Sequence, residues 1–127
     1  MSASLRDRVA VAGIGCTEFS RDSGVSTLTL ASRAILAALE DAGLSGSPCL
    51  HDGTTGISYG STSGSPPAME VYANTLYSRR TLKGIRATDY VQFMSHTVAA
   101  NLAQFFEVRG RVISPCSACT SGSQGLG

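Results

Sequence analysis

Charge is scarce in this chain. Ten basic and nine acidic residues make up 15% of its 127 positions and leave a net charge of +1, against about 25% charged residues in an average soluble domain. With no run of like charge, the electrostatic footprint of a nucleic-acid binder, or of a protein held to an anionic membrane, is missing. Long apolar runs are missing too. Every hydrophobic stretch is broken by Ser, Arg, Glu or Asp well before 18 residues, which excludes a membrane-spanning helix. The start, Met1-Ser2-Ala3-Ser4-Leu5-Arg6-Asp7, lacks the apolar core of a signal peptide, so a soluble cytoplasmic protein is expected. In that compartment the four cysteines, Cys16, Cys49, Cys116 and Cys119, are expected as thiols. Cys116 and Cys119 form a C-x-x-C pair, but no second pair with matching spacing completes a tetrahedral metal site, and no metal is expected.

The chain holds instead 43% apolar residues and 14 glycines. A length of 127 residues suits one domain or a piece of one, and so little charge implies a surface written to face other protein. The β-branched run at residues 8–14 reads as a buried strand. Leu28, Ala31, Ile35, Ala38, Leu39 and Ala42 recur at three- and four-residue steps, with Ser26 or Thr27 as cap and Gly43 as stop, and predict a helix. Residues 53–59 read as a second strand, and the Gly/Ser/Pro-rich residues 60–67 as a loop. Met69, Tyr72, Ala73 and Leu76 predict a helix over 68–77 with Pro67 in its first turn. Val91, Met94, Val98, Leu102, Phe105 and Phe106 predict one long helix over 90–106, closed by Gly110. Residues 111–114 read as a third strand, and Cys119 onward as a strand-to-helix turn opening a new helix. Strands separated by helices predict the α/β class with a parallel or mixed sheet.

Cys119 carries the candidate chemistry. A nucleophilic thiol needs the thiolate within reach and no bulky neighbour against the incoming electrophile. A strand-to-helix turn offers unpaired backbone N–H groups, and Ser117, Ala118, Thr120, Ser121 and Gly122 leave room for a thioester carbonyl. The Cys119 N–H could donate to a tetrahedral oxyanion. Composition and position alone favour a buried, inert cysteine, the commoner fate of that residue. His51 has no identifiable partner. His96, Cys116 and Cys16 read as structural residues, and Tyr72, Tyr77, Phe93, Phe105 and Phe106 as core. The run 60–64 lacks the Lys of a P-loop and the G-x-G-x-x-G order of a dinucleotide site; it reads as a loop that lets backbone pass close to a neighbour.

Ser117-Ala118-Cys119-Thr120-Ser121-Gly122 resembles the active-site cysteine segment of β-ketoacyl synthases. The order of Gly60-Ser61-Thr62-Ser63-Gly64 after a strand, a helix from Met94 to Phe106, and Gly110 before the strand leading to the cysteine strengthens the likeness over residues 56–127. Residues 8–44, with Val11-Ala12-Gly13-Ile14-Gly15-Cys16-Thr17-Glu18-Phe19, are similar instead to the amino end of lipid-transfer-type thiolases. The two families share one fold. The resemblance therefore implies the amino-terminal part of a thiolase-like layered α/β/α fold, residues 1–127 being a partial amino-terminal half with the carboxy-terminal half absent.

By that resemblance Cys119 accepts an acyl group from a thioester, and a carbanion then attacks it. In ketosynthases the carbanion comes from a malonyl thioester on acyl carrier protein; in thiolases it comes from an acyl-CoA. The families place their catalytic histidines, or a histidine and a second cysteine, in the carboxy-terminal half, so the chain as given is expected to be inactive in condensation. The position of His96 matches no catalytic histidine of the pattern. A β-ketoacyl synthase-type acyltransferase is the first expectation, with a lipid-transfer-type thiolase or a non-catalytic fragment as alternatives. The resemblance implies no cofactor, no nucleic acid and no membrane insertion. Its implied partners are acyl carrier protein or an acyl-CoA thioester, and a homodimer or ketosynthase heterodimer at full length.

Overall fold

The computed structural model describes residues 9–126; Arg8, the first residue of the expected first strand, and Gly127 lie outside them. Two compact units make up the chain, Met1–Ser47 and Pro48–Gly127. Among the described residues no helix is long and apolar enough to cross a membrane.

The first unit is built on α1 (Thr27–Asp41). Ser26 caps it, its hydroxyl accepting the Thr29 N–H at 3.2 Å, which satisfies one of the orphan donors of the first turn. At the other end Gly43 adopts φ +66°. Its N–H donates to Glu40 at 3.0 Å, and the Leu44 N–H to Leu39 at 2.8 Å, a Schellman closure that a left-handed residue makes possible. Both ends lie where the sequence predicts them. The expected strand at 8–14 does not form: residues 9–14 belong to no sheet. They run along α1 instead, with the Ile14 N–H donating to the Asp41 carboxylate at 2.9 Å and a Cβ at Gly13 lying 2.7 Å from the Ala42 nitrogen. Val9, Val11 and Ile14 remain 73%, 83% and 76% exposed. Their β-branched pattern reports surface that wants cover, but a strand also needs a neighbouring ladder, and none of the described residues supplies one.

In the second unit β1 (Ile57–Ser58) and β2 (Val112–Ile113) pair in parallel, Ile57 opposite Val112. The ladder outruns these short strands. Gly110 N–H donates to Thr55, Ile57 to Arg111, Tyr59 to Ile113 and Ser61 to Pro115, at 3.1, 2.8, 3.0 and 3.1 Å. On this pair lies α4 (Thr97–Phe105), which buries Ala99, Leu102 and Ala103; Leu102 is fully enclosed. The connection is filled by α2 (Pro66–Arg79) and α3 (Ala87–Gln92). Ser65 caps α2, and prolines occupy its first turn, where a missing N–H costs nothing.

The long helix expected over 90–106 is two helices, with residues 93–96 between them. In a continuous helix the carbonyls of Gln92 and Phe93 would accept from His96 and Thr97. Here the loop N–H groups of Ser65 and Gly64 take those carbonyls, each at 2.9 Å. The Thr97 hydroxyl turns back to the Val91 carbonyl at 2.7 Å. Tyr72 of α2 meets Tyr90 and Phe93 at centroid distances of 5.9 and 5.1 Å, and Tyr90 meets Phe93 at 5.2 Å, a range in which aromatic pairs attract. Tyr77 and Phe105, expected in the core, are instead 79% and 64% exposed; Tyr77 belongs to the last turn of α2, and Phe105 meets Phe106 edge-on.

Two predictions follow from this unit's helix ends. α4 closes with a Schellman motif, Glu107 N–H to Gln104 at 3.2 Å and Val108 N–H to Ala103 at 2.9 Å, but its left-handed residue is Glu107, at φ +51°. Glu107→Gly is expected to stabilise the chain by about 0.5–1 kcal/mol, read as a higher denaturant midpoint at unchanged slope. At α3, Arg86 grips the largely buried Asp89 with Nε and Nη2, at 3.0 and 2.6 Å. Those two hydrogen bonds hold the Asp89 carboxyl below its ordinary value. The stabilisation is complete above the unfolded-state value of about 3.9 and is lost as pH falls through the lower folded value. Asp89→Asn should therefore lower the melting midpoint at pH 6 and cease to differ from the parent in strong acid.

Candidate active site

Past β2 the chain runs through Ser114 and Pro115 into a 3-10 turn at Ala118–Thr120, and α5 (Ser121–Leu126) follows at once. The strand-to-helix turn expected at Cys119 is present. Its sharpness has a backbone cause: Ala118 adopts φ +47°, a left-handed conformation that costs a residue with a Cβ roughly 1–2 kcal/mol.

Several groups hold that conformation. The Ala118 carbonyl accepts from the Thr62 hydroxyl at 2.9 Å, from the Ser121 hydroxyl at 2.7 Å and from the Ser121 N–H. The Ser121 hydroxyl in turn accepts the Ser117 N–H at 2.9 Å, so one buried serine braces both sides of the bend. The Ser117 carbonyl accepts from the N–H and the hydroxyl of Thr120, at 3.1 and 2.7 Å. Between these braces the Cys119 thiol is free and exposed.

The glycine-rich run 60–64 passes close to a neighbour, as expected, and the neighbour is this turn. A Cβ at Gly60 would overlap the Ser121 carbonyl and lie 2.9 Å from the Gly122 nitrogen. The same run carries Thr62, whose part at the turn sequence reasoning missed. No local signal could have found it, because Thr62 and Ala118 are 56 positions apart.

The remaining candidates fall elsewhere. Cys116, expected as a small buried residue, is exposed, and its thiol donates to the Thr62 carbonyl at 3.6 Å. Cys16, read likewise, is also exposed; it lines an open cleft of about 520 Å³ in the first unit, together with Glu18, Asp22 and Arg33. Cys119 has no part in that cleft. His96 stands at the amino end of α4 without a side-chain capping bond. His51 reaches the Glu107 carbonyl at 3.4 Å. Neither histidine is hydrogen-bonded to the cysteine turn.

The family model for the β-ketoacyl synthase N-terminal domain matches residues 21–126. The chain belongs to this family. Among solved structures, a β-ketoacyl synthase from Burkholderia phymatum superposes with a TM-score of 0.66 at 32% identity, over 86% of this chain and 29% of the other. The fold is thus a mostly helical, partial α/β arrangement like the amino-terminal part of a ketosynthase, with a small open sheet. Two curated relatives match shorter stretches. A steroid side-chain-cleaving aldolase of Thermomonospora curvata is 66% identical over 35 residues, which is 28% of this chain and 9% of the aldolase. A 17-hydroxy-3-oxo-4-pregnene-20-carboxyl-CoA lyase of Mycobacterium tuberculosis is 53% identical over 51 residues, 40% of this chain and 13% of the lyase.

The close approach at Gly60 predicts a sharp intolerance in this ketosynthase-family turn. Gly60→Ala must displace either the end of β1 or the start of α5. It is expected to cost about 1–3 kcal/mol in a denaturant titration and to alter the rate at which iodoacetamide alkylates Cys119, with the rate at Cys16 unchanged.

Proposed function

We propose that this chain is the nucleophile-bearing, amino-terminal part of a thiolase-superfamily enzyme that acts on an acyl-CoA-type thioester, with Cys119 as the acyl acceptor. The observation that carries the reading is the braced left-handed turn at Ala118, which presents a free, exposed thiol between a parallel strand and a helix. A cysteine kept only for packing would have no use for a strained turn that lifts it into solvent.

Acylation exchanges one thioester for another. The Cys119 thiol gives its proton to solvent water, Sγ attacks the thioester carbonyl, and a tetrahedral oxyanion forms. The oxyanion collapses with cleavage of the carbonyl carbon–sulfur bond, and the coenzyme A thiolate leaves and is protonated. That half-reaction is common to ketosynthases and thiolases. CoA thioesters are favoured over carrier-protein thioesters because a matching relative is named for a carboxyl-CoA substrate, which brings the lipid-transfer-type thiolase reading ahead of the malonyl-condensing one.

A second reading is favoured by the names of both curated relatives, an aldolase and a lyase. A β-hydroxyacyl thioester can be split by retro-aldol cleavage: a base takes the hydroxyl proton, a carbonyl forms, and the electron pair of the broken carbon–carbon bond passes to the thioester enolate, which takes a proton at carbon to give the shortened thioester. No acyl-enzyme arises on that path.

The two readings part in one measurement. On incubation with octanoyl-CoA, the acyl-transfer reading expects one octanoyl group on Cys119, one free CoA thiol released per group, and at least about tenfold less acylation at Cys16, Cys49 and Cys116. Cys119→Ser abolishes the adduct. Acylation spread evenly over the four thiols, or none at all, overturns acyl transfer and leaves the lyase.

A further inference from the structure

We infer that Thr62 is a positioning residue for Cys119, acting by fixing the direction of the Cys119 backbone N–H; this rests on the reading of Cys119 as acyl acceptor. The Ala118 carbonyl and the Cys119 N–H are the two ends of one planar peptide unit, and in a trans peptide they point in opposite directions. Whatever fixes the carbonyl therefore aims the N–H. That N–H is the oxyanion donor closest in sequence to the nucleophilic sulfur, and its worth depends on geometry held before the reaction begins.

Two side chains hold the carbonyl, and they differ in kind. Ser121 lies three residues on, in the first turn of α5. Its hydroxyl and its N–H belong to the same turn as Ala118 and follow that turn wherever it goes. Thr62 comes from the continuation of β1, 56 residues away, and it is itself secured on both sides. The preceding Ser61 N–H donates to Pro115 at 3.1 Å, and the Thr62 carbonyl receives the Cys116 thiol at 3.6 Å. Thr62 is thus the side chain that refers the peptide plane to the sheet. Its β-branched carbon narrows the χ1 choices of the hydroxyl, so little freedom is lost in making the bond.

Position and orientation make separable demands. Alkylation of Cys119 by iodoacetamide is a displacement at an sp³ carbon and develops no oxyanion. Acylation by octanoyl-CoA does develop one. Thr62→Val keeps the shape and removes the donor. It is expected to slow Cys119 acylation at least about tenfold, short of the 10²–10³ seen when an oxyanion donor is removed outright, while alkylation of the same thiol changes less than about twofold. Thr62→Ser restores most of the acylation rate.

Each other outcome counts against the inference. Equal losses in the two reactions assign Thr62 a general structural part, and an unchanged acylation rate in Thr62→Val removes any part in positioning. If the parent chain is not acylated on Cys119, the acyl-acceptor reading falls and this inference with it. If the parent is acylated and the valine variant matches it, that reading stands and the positioning part of Thr62 alone is overturned.

Discussion

Residue 60 can carry no side chain, and the arrangement of the second unit follows from that constraint. With hydrogen alone at this position, the strand backbone comes against the Ser121 carbonyl and the Gly122 nitrogen, close enough for the next residues to continue the ladder to Pro115. Thr62 then falls within reach of Ala118. The left-handed residue before Cys119, the brace from Ser121 and the exposure of the thiol are consistent with one another only at that separation. Strain at Ala118 persists because the surroundings over-determine it.

Local chemistry was legible in the sequence wherever the structure is decided locally. Ser26, Gly43 and the apolar spacing between them define α1, and Pro67 marks the first turn of α2, though that helix opens two residues earlier than expected, on the Ser65 cap, because caps and prolines act on the nearest turn. The expected parallel pairing and the turn at Cys119 also formed. The long helix over 90–106 failed for a reason that periodicity does not contain: Gly64 and Ser65 remove two carbonyls from the helix ladder, and these donors lie some 28 residues upstream. The strand at 8–14 failed similarly. A β-branched run states a need for cover, and α1 met part of that need without a ladder.

The candidate site divides along the same line. Cys119 stood out from its small neighbours and from the family likeness, and the strand-to-helix turn expected there formed. The exposure of Cys116 and Cys16 was not legible, since burial of a small residue is set by which elements happen to pass over it. Thr62 was hidden for a sharper reason. Its informative side-chain bond reaches across 56 residues, and in the sequence it is one polar residue of a glycine- and serine-rich loop.

The turn at Cys119 is shaped by how α5 is joined to the sheet. α5 opens directly on the 3-10 turn, with Ser121 as its first residue. Its first turn is held by side-chain bonds from Ser121 and Thr120, while Thr62 contributes the tie to the strand side. A thiol on such a turn is oriented by contacts rather than by helix propensity. Substitutions at residues 60, 62 and 121 should therefore reach the geometry of the Cys119 turn before they reach the stability of α4 and its buried Leu102, because the turn and the core share the sheet but not their side-chain partners.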